Sequence, residues 1–190
     1  VDFLCARSAF RYPDAKIVMN DFNPELMDMY DVMKNSYGQF EKEYLSIVQN
    51  HLSMPVPKAA KDFESKEEQK AWNKNWENNN PRKIHYYQLR DRYAFEYENI
   101  QTERLMAELY FMLRVNSNGM WKAYKKMDYR YSTPPGTLTQ KPKFFDIEET
   151  RKFHKFLQRC ELRCGDFADM PEFSGKGTYY YADPPYRDSI

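Results

Sequence analysis

Three strand-like runs of this chain each close on an aspartate. Lys16-Ile17-Val18-Met19-Asn20 runs into Asp21, Glu161-Leu162-Arg163-Cys164-Gly165 into Asp166, and Thr178-Tyr179-Tyr180-Tyr181-Ala182 into Asp183. Val1-Asp2-Phe3-Leu4-Cys5 reads as a further short buried strand. In an open α/β sheet, ligands bind beyond the carboxyl ends of the strands. A carboxylate placed there accepts hydrogen bonds from ribose hydroxyls and exocyclic amines, because it has acceptors and no donor. The pattern therefore predicts an α/β fold with a ligand at one sheet edge.

The last of these acids opens the tetrapeptide Asp183-Pro184-Pro185-Tyr186. Its carboxylate and the Pro184 carbonyl can both accept from one NH2 group, which frees the nitrogen lone pair to meet an electrophilic methyl. Proline fixes φ and donates no N–H, so the turn is stiff and its carbonyl is available to a ligand. Tyr186 offers a flat face to a flipped-out base. A Pro-Pro turn with a buried Tyr explains the same four residues on their own, through turn chemistry alone.

A chain of 190 residues with 42% hydrophobic and 30% charged residues can bury a core and is not a disordered tail. It shows no apolar run near the roughly 20 residues that cross a bilayer, and no signal-peptide pattern, so the expectation is a soluble cytoplasmic enzyme domain without membrane contact. Cys5, Cys160 and Cys164 have no paired spacing and read as reduced thiols. No metal site is expected, because Cys160 and Cys164 lack a matching His or Cys pair.

Charge is unevenly placed. Residues 111–145 carry Arg114, Lys122, Lys125, Lys126, Arg130, Lys141 and Lys143 against the single acid Asp128. Trp121, Tyr124, Tyr129 and Tyr131 are interleaved, and Asn118-Gly119 and Thr133-Pro134-Pro135-Gly136 break the run. Cations for phosphates and rings for bases match a nucleic-acid surface; a solvated charged loop is the alternative.

Helical spacing fills the interval between the second and third strands. Asn23-Pro24 caps and opens a helix with Leu26, Met27, Tyr30 and Met33 on one face. Gly38 separates it from a second helix with Phe40, Tyr44, Ile47 and Val48. Met54-Pro55-Val56-Pro57 is a break, residues 58–81 are polar and partly helical with a Trp72/Trp76 docking stripe, and Asn78-Asn79-Asn80-Pro81 is a loop. Residues 82–98 and 102–115 are helices, the second with a core stripe of Leu105, Leu109 and Leu113 beside Met106 and Tyr110. Asp146 with Glu149 resembles a capping box ahead of Phe153, Phe156 and Leu157.

Over nearly its whole length the chain resembles the Dam-like, D12-class DNA adenine-N6 methyltransferases, including those of phages. Val1 to Ser8 is similar to the first motif, Asn20-Asp21-Phe22-Asn23-Pro24-Glu25-Leu26 to an Asn-Asp-x-Asn-x-x-Leu motif, and Gly165-Asp166-Phe167 to a Gly-Asp-Phe motif. Asn116-Ser117-Asn118-Gly119-Met120 and Ser132-Thr133-Pro134-Pro135-Gly136 resemble the Asn-Gly and Thr-Pro-Phe-Gly segments of the target-recognition part, and Asp183 to Tyr186 the catalytic tetrapeptide. The resemblance implies a partial Rossmann-like sheet of order 3-2-1-4. Residues 1–50 and 145–190 would form the catalytic core, and 51–144 a helical, basic target-recognition insert. It implies S-adenosylmethionine as methyl donor, with Asp21 at its ribose, Asp166 and Phe167 at its adenine, Asp2 and the loop Ala6 to Ser8 along its methionine part, and Cys5 and Phe22 also among the cofactor-binding residues. Asp183 and Pro184 would orient the target N6, with Pro185 stiffening the turn and Tyr186 stacking on the extruded base. Asn118, Lys122, Lys125, Lys126 and Arg130 would grip double-stranded DNA. Direct attack of the amine on the methyl needs no metal and no covalent intermediate.

The chain departs from the pattern in places. Ala6 and Ser8, flanking Arg7, replace the first motif's glycines, where a Cβ works against close approach of the cofactor. Leu4 and Phe3 stand as if exchanged, and Pro135 replaces Phe in the turn motif. The family also has a Lys-bearing segment before the first motif and strands after the tetrapeptide. The chain is therefore expected to be part of a longer protein, with little activity alone and an unpaired sheet edge open to self-association. An RNA adenine methyltransferase and a non-catalytic DNA-binding relative remain as alternatives; Asp183 rather than Asn favours DNA.

Overall fold

The computed structural model describes residues 14–56, 64–95, 100–120, 131, 133–170, 177–179 and 181. Strand β1 (Ile17–Asp21) leads into helices α1 (Pro24–Asn35) and α2 (Tyr37–Ser53). Helices α3 (Lys66–Asn79), α4 (Pro81–Phe95) and α5 (Thr102–Val115) follow. A 3-10 turn (Pro142–Phe145), helix α6 (Ile147–Leu157), strand β2 (Cys160–Cys164) and a second 3-10 turn (Phe167–Asp169) complete the described elements.

The two described strands are parallel neighbours, in register from Ile17 against Cys160 to Asp21 against Cys164. They are the second and third strands expected from sequence, and they lie side by side. The first expected strand lies outside the described residues. Of the fourth, Thr178, Tyr179 and Tyr181 are described and none is in a strand.

Helix α5 is the centre of the core. Leu105, Met106, Ala107, Leu109, Phe111, Met112 and Val115 are all buried, so burial extends well past the expected leucine stripe. The reason is that α1, α2 and α4 all pack on it. Leu113 and Tyr110 are only partly buried. The α2 face of Phe40, Tyr44, Ile47 and Val48 is buried as its spacing predicts. One hydrophobic cluster spans Met27 to Leu157, so helices on both sides of residue 51 share it.

Two breaks fall elsewhere than expected. The α1–α2 break is at Ser36, whose N–H still bonds Val32 O at 2.9 Å, and Gly38 sits in the first turn of α2. The asparagine run is helix up to Asn79, not loop. Asn80 alone separates α3 from α4, because its Oδ1 accepts from Arg82 N at 3.0 Å and Lys83 N at 3.3 Å, and Pro81 needs no N–H acceptor there. The Asp146 cap is real, with Oδ1 accepting from Glu148 N at 3.0 Å. Its expected partner Glu149 instead pairs with Arg114 at 3.1 Å.

Candidate functional site

The carboxyl edge of the β1–β2 pair brings two of the expected acids together. Asp21 is the last residue of β1, and Asp166 follows the last residue of β2 by one glycine. Two bonds hold the strand ends side by side: Gly165 N to Asp21 O at 3.1 Å, and Asn20 Nδ2 to Gly165 O at 2.9 Å. Sequence reading placed Asn20 in a motif but missed that it ties one strand end to the other.

Each aspartate is also oriented by its own turn. Asp21 Oδ1 accepts from Asn23 N at 2.8 Å, and Asn23 Oδ1 in turn caps α1 through Glu25 N at 3.0 Å. Asp166 Oδ1 accepts from Ala168 N at 2.9 Å and starts the 3-10 turn that carries Phe167. The other oxygen of each carboxylate has no hydrogen-bond partner among the described residues. Phe22 is 78% exposed and Phe167 55% exposed, although both are large and apolar. The edge therefore presents two acceptor-only groups and two ring faces, the complement of a nucleoside with ribose hydroxyls, an exocyclic amine and a flat base.

Beneath it, Tyr30 is buried and its ring meets Phe153 edge-on at 5.3 Å. Burial, and then the nearby Asp21 charge, hold its phenol protonated far above the ordinary range.

Asp2, Cys5 and Ala6 lie outside the described residues, as do Lys122, Lys125, Lys126, Arg130 and the tetrapeptide Asp183, Pro184, Pro185 and Tyr186. Asn118 is described and exposed, with φ 63° beside Gly119 at φ 65°. Both positive angles belong to a tight turn after α5, which gives Asn and Gly a backbone reason to be there. Arg114, read as part of the basic run, is committed within the fold: it stacks 4.7 Å over Phe144 and donates to Phe144 O at 2.6 Å. A cavity of about 250 Å³ between Leu52, Arg82 and Lys141 shares no residue with the aspartate edge.

A model of the D12 class N6 adenine-specific DNA methyltransferases matches residues 6–189. The chain belongs to this family. Two curated relatives are the type II methyltransferase M.MjaIII of Methanocaldococcus jannaschii, 26% identical over 177 residues, and the type II methyltransferase M1.LlaDCHI of Lactococcus lactis subsp. cremoris, 26% identical over 181 residues. In each case the match takes in 93% of this chain and 52% of the relative, so the chain spans about half the length of these D12 relatives. No described helix of this D12 chain is long and apolar enough to cross a membrane.

Proposed function

We propose that this D12 chain takes part in transferring a methyl group from S-adenosylmethionine to the N6 amine of adenine in DNA. Family membership supports the reaction class. The observation that carries the donor assignment is the pairing of Asp21 with Asp166 at one sheet edge, flanked by the exposed rings of Phe22 and Phe167. When bound, the donor supplies an electrophilic methyl on a sulfonium sulfur.

In this reading Asp21 accepts from the ribose hydroxyls and Asp166 from the adenine amine, while Phe22 and Phe167 cover the nucleoside. Asp2, Cys5 and Ala6 line the methionine part. Asp183 and the Pro184 carbonyl accept the two N6 hydrogens of the target base, leaving the lone pair to attack, and Tyr186 stacks on that base. The Asp183 carboxylate, already hydrogen-bonded to the amine, would take up the proton that N6 gives up when it gains the methyl. Asn118 and the Lys122–Arg130 bases hold the duplex. Residues 1–50 and 145–190 form the catalytic part and 51–144 the recognition part.

The test is incorporation of labelled methyl into duplex DNA by the gene product that carries this chain, followed by nucleoside analysis. N6-methyladenine is expected from the wild type, and none from Asp183→Ala, which should still bind the donor. Label in cytosine, or full transfer by Asp183→Ala, would refute the mechanism. A second reading, a DNA-binding relative without turnover, draws on Ala6, Arg7 and Ser8 in the first motif; wild-type protein that binds duplex but not the donor would establish it instead.

A further inference from the structure

Past the last register pair, Asp21 against Cys164, the β1–β2 ladder continues for one bond, from Gly165 N to Asp21 O at 3.1 Å. Bonds in a parallel ladder are evenly spaced, so the next donor due, to Gly165 O, is the main-chain N–H of Asn23. That N–H is diverted. It donates instead to Asp21 Oδ1 at 2.8 Å and orients the carboxylate. The half-buried side chain of Asn20 takes its place, with Nδ2 donating to Gly165 O at 2.9 Å.

The replacement matters because the residue it holds is a glycine. Glycine has the widest choice of φ and ψ, and a Cβ at Gly165 would meet nothing within 4 Å, so packing does not fix its conformation. Two bonds to β1 do so. The bond at Gly165 N ties the peptide plane before its Cα, and the bond at Gly165 O ties the plane after it. A peptide unit is planar, so Gly165 O and Asp166 N share that second plane, and Asn20 directs the chain as it enters Asp166. From there Asp166 Oδ1 accepts from Ala168 N at 2.9 Å. One diverted N–H thus orients Asp21, and one carboxamide stands in for it to hold Asp166.

We propose that Asn20 is a positioning residue for the methyl donor: it fixes the Gly165–Asp166 peptide and so holds Asp166 where it can accept from the adenine amine. The inference rests on the donor reading above. An acceptor held in place before contact leaves less ordering to be done on binding. Asn20 spends its donor on Gly165 O, so its effect on the ligand passes through Asp166, while Asp21 keeps its own bond to Asn23 N. Losing the Asn20 carboxamide should therefore weaken recognition of the amine rather than of the ribose.

The test uses Asn20→Leu, which keeps the branched shape without a donor, and Asn20→Ala, which removes the group without adding bulk. The gene product that carries this chain is titrated calorimetrically with S-adenosylmethionine and with its analogue bearing hydrogen in place of the adenine amine. The wild type should favour the amine-bearing form. Each variant should bind that form about 5- to 10-fold more weakly, the equivalent of one net hydrogen bond, with affinity for the analogue unchanged. An equal loss for both ligands, as a merely structural role would give, or an undiminished preference in a folded variant, would overturn this inference and leave the donor reading standing. Failure of both variants to fold would make the tie a requirement of the fold and would overturn it too. A wild type that binds both ligands equally would remove Asp166 from the amine and this inference with it. A wild type that binds neither would overturn the donor reading itself.

Discussion

The carbonyl of Asp21 accepts a hydrogen bond from Gly165 N at 3.1 Å, one step past the last register pair of the two strands. That bond makes neighbours of two aspartates 145 positions apart in the chain, because Asp166 is the next residue. A Cβ on Gly165 would meet nothing within 4 Å, so packing does not require a glycine there.

Asp21→Asn isolates the charge. The amide oxygen of Asn can still accept from Asn23 N, so the turn into α1 should survive. Donor affinity should fall by about 1–3 kcal/mol, the range for losing a charge-assisted bond, with no change in the unfolding midpoint. Calorimetric titration with S-adenosylmethionine measures it, and an unaltered affinity would remove Asp21 from the site.

Glu108 tests the core. Its carboxylate is fully buried on α5, accepts from Arg104 Nε at 2.7 Å and pairs with Arg92, while Arg104 Nη1 reaches Glu43 at 2.9 Å. Removing the buried acid takes a partner from two guanidinium groups that reach solvent, and Arg104 keeps Glu43. Glu108→Ala should therefore cost about 1–3 kcal/mol, the range for a lost hydrogen bond to a charged group. Glu43→Ala removes a partly exposed acid and should cost about 1 kcal/mol or less. Urea unfolding of the two variants decides; equal losses would contradict the burial argument.

The sequence made some of this legible because local rules decided it. Asn23-Pro24 can do little other than cap and start a helix, and β1 and β2 each announce themselves by ending at Asp21 or at Gly165-Asp166. What escaped was set by partners distant in the chain. Asn116 and Thr133 were visible only as parts of motifs tied to DNA recognition, since nothing local to either shows that both donate to Met120 O. Glu149 looks like a capping-box residue until Arg114 competes for it. The burial of α5 on nearly all sides depends on three other helices, which no period within residues 102–115 encodes.

His51 carries a pH dependence. Its ring lies 5.1 Å from Phe111 and 5.8 Å from Phe145, and neither nitrogen has a hydrogen-bond partner among the described residues. Burial first, then the charges of Arg82 and His85, push its pKa down to about 4 from 6.5. The folded state thus holds a neutral ring that the unfolded state protonates sooner. Stability is complete above pH 6.5 and should fall as pH drops toward 4, by up to about 1.4 kcal/mol per pH unit for one proton. His85 is lowered in the same direction by burial and by Arg92 and Arg104, and adds to the slope. His51→Leu should flatten urea midpoints measured between pH 4 and 6.5; a wild-type slope in that variant would exonerate His51.

Two glycines should respond to the same substitution with opposite sign. Gly38 is exposed in the first turn of α2, and an added Cβ meets nothing within 4 Å. Gly38→Ala should stabilise by about 0.5–1 kcal/mol, because alanine loses less backbone freedom on entering a helix. Gly136 lies where the 133–138 stretch crosses the end of α5. A Cβ there would stand 2.9 Å from Asn116 O and 3.1 Å from Val115 O. Both are main-chain atoms, and Val115 O already accepts from Gly136 N at 2.9 Å, so neither can swing aside as a side chain would. The stretch must lift off α5, which weakens that bond and strains the bridge between Asn116 and Pro135. Gly136→Ala should lower the thermal midpoint, with a cost of about 1–3 kcal/mol typical of overpacking. Thermal melts check both outcomes, and a Gly136→Ala variant as stable as wild type would mean that the contact with α5 yields at no cost.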